Sequence, residues 1–157
     1  MCEIRLMTNV DEETLNLITN WMFHWWGEAE GYSYDTVKSY MKHSINENGY
    51  PLSFGMYLGE KLIGMYQFKL EDLFVRPDIH PWLANLYIDE EFRNKGYGRK
   101  LIESFNDNSR FIKEFDSLYL YTTHSGMYEK FGWEFVEEID THLPVDRIQR
   151  LYRLKIR

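Results

Sequence analysis

The apolar positions in the first third of the chain predict a strand followed by two amphipathic helices. Residues 3–7 have the character of a short first strand. Asp11 can cap a helix in which apolar residues recur at helical spacing, at Leu15, Ile18, Met22 and Trp25. Ser33 can cap a second helix whose apolar face is formed by Val37, Tyr40, Met41 and Ile45. Residues 26–31, which contain two glycines, predict a surface loop between the helices.

Two segments in the middle of the chain predict a β-hairpin. Alternation of large apolar residues with smaller or more polar ones marks a half-buried strand, at Leu52, Phe54, Met56 and Leu58. Gly59 and Glu60 form a turn signal, and residues 62–70 return as the partner strand. Two prolines within residues 76–81 then exclude a helix interior and a central strand.

The second half of the chain has the order strand, helix, strand, which predicts a parallel crossover. Residues 82–88 and 117–121 are compact apolar strands. The helix between them begins near Gly96 and has an inner side formed by Leu101, Ile102, Phe105 and Ile112. Such connections are right-handed almost without exception. A short helical segment at 126–131, a strand from Trp133 and a strand at 151–156 complete a predicted α+β fold, a mixed sheet with helices on its faces.

Length and composition predict one globular domain spanning residues 1–157. The chain is 44% hydrophobic and 17% aromatic, which is enough to bury a core, and it has no repeat or linker-like tract. No apolar run reaches the roughly 18 residues of a membrane span, and residues 1–5 lack the start of a secretory signal. The single Cys2 can form no internal disulfide and anchors no metal cluster. We therefore expect a cytoplasmic protein without a membrane partner or a metal.

The formal net charge of −7 argues against a nucleic-acid partner, because binding to phosphates requires a basic face. An acidic protein is compatible with a cationic substrate such as an amine. Acidity that merely maintains solubility is an equal alternative.

The turn after Ile88 carries the strongest functional pattern. Gly96 and Gly98 allow backbone N–H groups to face one point, and a helix start adds unpaired N–H groups and the positive end of its dipole. The densest positive patch of the chain surrounds these glycines and comprises Arg93, Lys95, Arg99 and Lys100. The pattern predicts a site for a pyrophosphate.

Two common nucleotide loops match this turn poorly. A P-loop requires a lysine and a serine or threonine after its last glycine, whereas Gly98 is followed by arginine, lysine and leucine. A dinucleotide fingerprint requires a third glycine where Leu101 stands, and an acid near the end of the next strand. A module that binds NAD or ATP is therefore a rival interpretation with weak support.

The Arg-x-x-Gly-x-Gly pattern of Arg93, Gly96 and Gly98 resembles the cofactor motif of the GNAT superfamily of N-acetyltransferases. The strand at 83–89 precedes it, and residues 118–121 and 128–133 follow at the distances typical of the family. The element order also matches, so the resemblance covers nearly the whole chain. It implies the GNAT fold, in which a mixed, mostly antiparallel sheet with flanking helices contains a parallel fourth and fifth strand splayed by a bulge.

The resemblance also implies that acetyl-CoA is the acyl donor and that its pantetheine arm fills the gap between these strands. The amides of Leu86, Tyr87 and Ile88 would face that arm, and the Leu86 N–H would hold the thioester oxygen as an oxyanion hole. Lys95 and Arg99 would lie near the nucleotide. The pyrophosphate would accept hydrogen bonds from the amides of Arg93, Asn94, Lys95, Gly96, Tyr97 and Gly98.

Tyr128 aligns with the tyrosine that the family commonly uses as general acid toward the departing thiolate. A phenol with a pKa near ~10 remains protonated at neutral pH and can still donate a proton. A packing role is the alternative in a chain with 12 tyrosines. The asparagine that many members have seven residues earlier is replaced by Tyr121.

The attacking amine is protonated at neutral pH and must lose a proton first. We assign this step to Glu71, at the end of the hairpin; a water relay is an equal alternative. The other candidate bases are Asp72, His80, Glu28 and Glu30. Residues 24–26, a histidine and two tryptophans, are candidates to line an acceptor pocket or to pack in the core.

The sequence therefore predicts direct transfer of an acetyl group from acetyl-CoA to a primary amine, either a small molecule or a peptide. The alternative is a non-catalytic domain that uses an acyl-CoA site for sensing or assembly. A homodimer is compatible with the sequence, which does not decide the oligomeric state.

Overall fold

The computed structural model describes residues 1–157, which form a seven-stranded mixed sheet with helices on both faces. The strand order is β1-β2-β3-β4-β5-β7-β6, and only β4 and β5 are parallel. This architecture confirms the predicted α+β fold. The strands are β1 (Cys2–Leu6), β2 (Leu52–Leu58), β3 (Lys61–Lys69), β4 (Trp82–Ile88), β5 (Ser117–Thr122), β6 (Glu134–Asp140) and β7 (Ile148–Lys155).

Both predicted helix caps in the first third of the chain are confirmed. The Asp11 carboxylate accepts a hydrogen bond from the Thr14 N–H at 2.8 Å, at the start of α1. The Ser33 hydroxyl accepts one from the Thr36 N–H at 3.1 Å, at the start of α2. The helices are α1 (Glu12–Met22), α2 (Tyr34–Lys42), α3 (Tyr97–Glu103) and α4 (Phe105–Asn108).

Three helix predictions require correction. Trp25 lies beyond α1, in a π-helical turn at Phe23–Gly27, and Ile45 lies beyond the end of α2. The predicted long helix after Gly96 is divided into α3, α4 and a 3₁₀ turn at Ser109–Ile112. The division falls at Ser104, whose hydroxyl donates to the carbonyl of Leu101 at 2.7 Å. A serine hydroxyl that bonds to a preceding carbonyl competes with regular helical hydrogen bonding.

The two pairs of helices cover opposite faces of the sheet. Side chains of α1 and α2, including Ile18 and Met41, form one core with Met65 of β3. Phe105 of α4 packs in a second core with Tyr66 of β3, their rings 4.7 Å apart. Successive residues of a strand face opposite sides of its sheet, so β3 supplies both cores. No helix combines the length and apolar character that crossing a membrane requires.

The centre of the sheet is irregular at β4. Ala84 pairs with Gln67 of β3 and Tyr87 pairs with Met65, so two residues of β4, at 85 and 86, oppose one residue of β3. That arrangement is a β-bulge, which bends the strand that carries it. On its other side, β4 pairs with β5 only at Trp82. The two parallel strands therefore diverge after their first residues, which confirms the predicted splayed pair.

Gly64 allows β3 to approach β4 closely beside this irregularity. A Cβ atom there would lie 2.7 Å from Ile88 Cδ1 and 2.8 Å from the backbone oxygen of Tyr87. We expect Gly64→Ala to lower the free energy of unfolding by about 1–3 kcal/mol, because β4 must shift to admit the methyl group. The measurement is unfolding in urea.

Gly98→Ala is the matched control, because no atom beyond its chain neighbours and the backbone of its own helix lies within 4 Å of the added Cβ. Alanine is the better helix former, so we expect unchanged or slightly higher stability for this variant. Equal stabilities for the two variants would show that β3 and β4 tolerate separation at Gly64.

Candidate active site

The bulge in β4 is anchored by the side chain of Asn85. The backbone of Asn85 has a φ of 53°, in the left-handed region that asparagine tolerates better than most residues. Its Nδ2 donates to Gln67 Oε1 at 2.8 Å and to the Tyr40 hydroxyl at 3.3 Å. Its Oδ1 accepts from Trp26 Nε1 at 3.0 Å. Asn85 thus ties the bulge to β3, to α2 and to the π-helical turn.

Sequence reasoning did not single out Asn85. The available signal was an asparagine in the middle of an apolar strand, a residue type with a raised tendency to adopt positive φ. The three hydrogen-bond partners lie 18, 45 and 59 residues away in sequence. Local pattern alone therefore gave no indication of them.

A cavity of about 810 Å³ opens where β4 and β5 diverge. One wall consists of residues 83–86 of β4 and 120–124 at the end of β5, with Tyr128 beside them. The opposite walls come from three connecting segments, the α1–α2 region, the β3–β4 loop and the β6–β7 loop. The cavity therefore joins the splayed strands to the face of the sheet that α1 and α2 cover.

Of the three strand residues that were expected to face the donor, the cavity wall includes Leu86. Tyr87 and Ile88 continue β4 beyond the wall toward the turn before α3. The Tyr87 ring stacks on Trp21 with a centroid distance of 5.3 Å. The guanidinium of Arg93 lies 4.9 Å from the centre of the same ring and donates to the carbonyl of Ile88 at 2.9 Å. These contacts fix the start of the turn on the end of β4.

The predicted anion-binding turn is exposed and has unpaired backbone donors. The amides of Asn94, Lys95 and Gly96 have no hydrogen-bond partner within the protein. The first bond of α3 runs from the Lys100 N–H to the Gly96 carbonyl, so the amides of Tyr97 and Gly98 precede the regular helical pattern. Left-handed φ values of 62° at Asn94 and 86° at Gly96 shape the turn. The unpaired amides of the turn and the side chain of Lys95 are therefore available to bind an anion.

The charged side chains of this turn make only surface contacts. Arg99 forms an ion pair with Glu103 at 3.0 Å, one helical turn later. The Lys95 ammonium lies 5.6 Å from the centre of the Phe92 ring. Exposed contacts of this kind contribute little energy and do not prevent either side chain from turning toward a bound anion.

Tyr128 is buried to 7% exposure at the start of a 3₁₀ turn, Tyr128–Phe131, and lines the cavity. Its ring packs against Trp133 and Tyr152 at centroid distances of 5.9 and 6.1 Å, and its hydroxyl has no partner within the protein. Burial raises the pKa of Tyr128 to about 12, so the phenol is protonated at neutral pH. The turn is fixed by Glu129, which accepts hydrogen bonds from the Gly126 N–H at 2.9 Å and the Tyr152 hydroxyl at 3.0 Å.

The side of the cavity near α1 and α2 contains a small acidic cluster. Lys69 and Asp72 form an ion pair at 3.0 Å, and both side chains are largely buried. Glu30 is half-buried and has no ion-pair partner; burial and then the charge of Asp72 raise its pKa, against the opposing effect of Lys69. Tyr121 also lines this side, and burial together with the negative charges of Asp72 and Glu30 raises its pKa.

The structure separates the candidate bases. Glu30 and Asp72 lie on the cavity wall, whereas Glu71 is exposed at the end of β3 and is not part of that wall. Glu28 is exposed outside the wall, and His80 lies against Phe115 with a ring separation of 5.8 Å. Of residues 24–26, both tryptophans line the cavity and the histidine does not.

The family assignment rests on a match to more than half of the chain. A family model described as an acetyltransferase (GNAT) domain matches residues 52–135. The chain belongs to the GNAT acetyltransferase family. The matched segment includes β4 with its bulge, the anion-binding turn and Tyr128. No curated protein matches the sequence.

Solved structures with the same fold include three acetyltransferases. An aminoglycoside 6′-N-acetyltransferase complexed with coenzyme A is 12% identical, with a TM-score of 0.74 over 99% of this chain and 97% of its own. A spermidine N-acetyltransferase chimera of Vibrio cholerae SpeG and hSSAT is 17% identical, with a TM-score of 0.72 over 99% and 95%. Arabidopsis thaliana NAA60 in complex with a bisubstrate analogue is 15% identical, with a TM-score of 0.71 over 100% of both chains. At these identities the similarity establishes the fold.

We predict that Asn85→Ala lowers the free energy of unfolding by about 2–3 kcal/mol. The variant loses three hydrogen bonds, leaves Oε1 of the buried Gln67 without its donor, and places alanine in a left-handed conformation. Asn85→Gly also loses the three hydrogen bonds, but glycine adopts the left-handed conformation without strain. We therefore expect Asn85→Gly to lose less stability than Asn85→Ala. Urea unfolding measures both.

Asn94→Ala is the control for backbone strain, because Asn94 has a similar φ of 62° but is exposed. It should lose about 1–2 kcal/mol, the cost of the left-handed alanine. Equal losses for Asn85→Ala and Asn94→Ala would show that the hydrogen bonds of Asn85 do not stabilise the bulge.

Proposed function

We propose that this GNAT protein transfers an acetyl group from acetyl-CoA to a primary amine by direct attack. The observation that carries the proposal is the cavity, which is lined by the bulged part of β4, by Tyr128 and by Glu30. The first two groups suit a thioester, and the carboxylate suits an amine. The coenzyme A complex and the amine acceptors named for the related structures support this interpretation.

The chain's own residues fit acetyl-CoA on two independent features. Beyond Trp82, β4 has no partner on β5, so its backbone is available to pair with an extended pantetheine arm. The unpaired amides of Asn94, Lys95 and Gly96 and the first turn of α3 suit the pyrophosphate. Lys95 and Arg99 supply positive charge near the nucleotide. In this assignment Leu86 lies in the cavity, with Tyr87 and Ile88 on the path to the turn.

Leu86 and Tyr128 would act on two different atoms of the thioester, the carbonyl oxygen and the sulfur. Acetyl-CoA supplies the thioester, whose carbonyl carbon forms the new C–N bond as the C–S bond breaks. The Leu86 N–H donates to the carbonyl oxygen, where negative charge develops. Tyr128 donates its proton to the departing sulfur. The attacking nitrogen loses its second proton to solvent as the amide forms, and solvent returns a proton to the phenolate. The phenol is neutral at neutral pH, which is the form that this role requires.

Glu30 would remove the proton from the incoming ammonium group, directly or through a water molecule. We assign this role to Glu30 instead of Glu71, because Glu30 lines the cavity and Glu71 does not. The raised pKa makes Glu30 a stronger proton acceptor than an ordinary glutamate. Asp72 is the weaker candidate because its carboxylate is paired with Lys69.

Tyr128→Phe tests the proposed acid. We expect kcat to fall by about 10²-fold or more, because the departing thiolate loses its proton donor. Stabilisation by coenzyme A in a thermal-shift measurement should persist, since the ring is retained. The assay is release of free thiol from acetyl-CoA with an accepted amine. Tyr34→Phe, outside the cavity wall, is the matched control and should retain full activity.

Unchanged turnover in Tyr128→Phe would remove the acid assignment. A wild-type protein that is stabilised by coenzyme A but turns over no amine would favour the non-catalytic acyl-CoA-binding domain. Stabilisation by NAD or ATP and not by coenzyme A would favour the nucleotide-binding module.

Glu30→Gln tests the proposed base through the pH dependence of kcat. A base must be deprotonated to act, so wild-type activity should fall as the pH drops through the pKa of Glu30, which lies above its ordinary value. We expect Glu30→Gln to lose this acidic limb and about 10²-fold in kcat. Wild type and variant are compared with one amine, so that the ionisation of the amine is common to both.

Glu28→Gln is the matched control, an exposed carboxylate two residues earlier that does not line the cavity. It should leave the profile unchanged. The opposite result would be loss of the acidic limb of the kcat profile in Glu71→Gln and an unchanged profile in Glu30→Gln. That result would identify Glu71 as the base.

A further inference from the structure

The charges of the acceptor chamber limit the number of cations that it can accept. We define this chamber as the part of the cavity that is lined by those wall residues that belong to the segments 25–40, 69–75 and 141–146. Lys69 and Asp72 neutralise one another within it, at a separation of 3.0 Å. Asp146 is exposed to solvent on the β6–β7 loop. Glu30 is thus the half-buried carboxylate of the chamber that has no cationic partner.

One unpaired carboxylate compensates for one ammonium group. Each additional buried cation would lose its hydration without a partner, which is costly in a partly desolvated site. The Lys69 ammonium would also repel a second cation placed near Asp72. The chamber therefore matches an acceptor with a single positive charge.

Large apolar side chains surround the mouth of the chamber and are exposed to solvent. Phe74 of the β3–β4 loop is 96% exposed, and Val145 of the β6–β7 loop is 53% exposed. Trp25 and Tyr32, both in the α1–α2 connection, are each 48% exposed. These side chains belong to three separate segments of the chain and line one opening. A cluster of exposed apolar residues at the mouth of a cavity is typical of a binding site for an apolar group.

We propose that the acceptor is a primary monoamine whose ammonium group is attached to an aromatic or large aliphatic body. The ammonium group pairs with Glu30, and the body covers Phe74 and its apolar neighbours at the mouth. An arylalkylamine and a peptide with an apolar first residue share this chemistry. The inference depends on the proposed acetyl transfer, whose acceptor it specifies.

The test is kcat/KM for acetylation of matched amines, measured by thiol release. Hexylamine and 1,6-diaminohexane have the same chain length and differ by one positive charge, so hexylamine should be preferred by at least about tenfold. Ethylamine and 2-phenylethylamine have the same charge and differ in the apolar body, so 2-phenylethylamine should be preferred by at least about tenfold. A dipeptide amide that begins with phenylalanine is compared with 2-phenylethylamine, which distinguishes a peptide source from a small-molecule source. A dipeptide amide that begins with glycine is the control without an apolar first side chain.

Phe74→Ala connects the preference to the mouth of the chamber. It should raise KM for 2-phenylethylamine about tenfold and leave ethylamine nearly unchanged, because ethylamine is too short to cover the Phe74 ring. Phe111→Ala is the control, since Phe111 is partly exposed outside the cavity wall. It should leave both amines unchanged.

A preference for 1,6-diaminohexane, equal rates with ethylamine and 2-phenylethylamine, or indifference of 2-phenylethylamine to Phe74→Ala would overturn the inference while leaving acetyl transfer intact. A faster reaction with the phenylalanine peptide than with 2-phenylethylamine would support it with a peptide as the source. Absence of turnover with every amine would instead overturn the proposed function itself.

Discussion

Asn85 has a left-handed backbone in the middle of an apolar strand, and its side chain is bonded to Gln67, Tyr40 and Trp26. A strand that followed regular pairing through this point would lie beside β5 along its length and close the gap. The bulge instead bends β4, and β5 pairs with it only at Trp82. The cavity and the accessible edge of β4 both depend on that divergence. Because the side chain of Asn85 is fully paired, the bulge is stabilised and not merely tolerated.

The same hydrogen bonds connect the two sides of the site. Trp26 and Tyr40 belong to the segments that bound the acceptor chamber, and Asn85 precedes the residue proposed to hold the thioester oxygen. Displacement of α2 or of the π-helical turn would therefore be transmitted to β4 through these partly buried hydrogen bonds. The sheet holds the part of the site proposed to bind acetyl-CoA. The segments around the chamber mouth carry the side chains proposed to contact the acceptor. Loops on a rigid framework commonly divide their roles in this way.

Burial raises the pKa of both proposed proton-transfer groups, and in each case desolvation is the largest cause. For the Glu30 carboxylate, the shift strengthens the affinity for a proton that a base requires. The Tyr128 phenol is protonated at neutral pH even with its ordinary pKa, so the shift extends that form to higher pH and makes the phenol a weaker acid. The same physical effect therefore favours the role of Glu30 and leaves Tyr128 in the form from which it can donate.

The sequence determined the elements whose signals are local. The caps at Asp11 and Ser33, the hairpin of β2 and β3, the crossover around Gly96 and the family motif were all predicted from neighbouring residues, and the structure has them where expected. Helix ends were predicted less accurately. The division at Ser104, for example, depends on a hydroxyl that donates to a carbonyl of the preceding turn. The α+β fold and the GNAT family followed from element order and motif.

Tertiary structure decided which residues share the cavity. Glu71 and Asp72 are adjacent in sequence, yet Asp72 lines the wall and Glu71 faces solvent. Glu30 gains its environment from Asp72 and Lys69, about forty residues away, and Asn85 gains its partners from three other elements. Spacing along a chain predicts periodic faces and turns, because these depend on nearby backbone geometry. It does not predict which distant side chains are desolvated together, because that depends on how the elements pack.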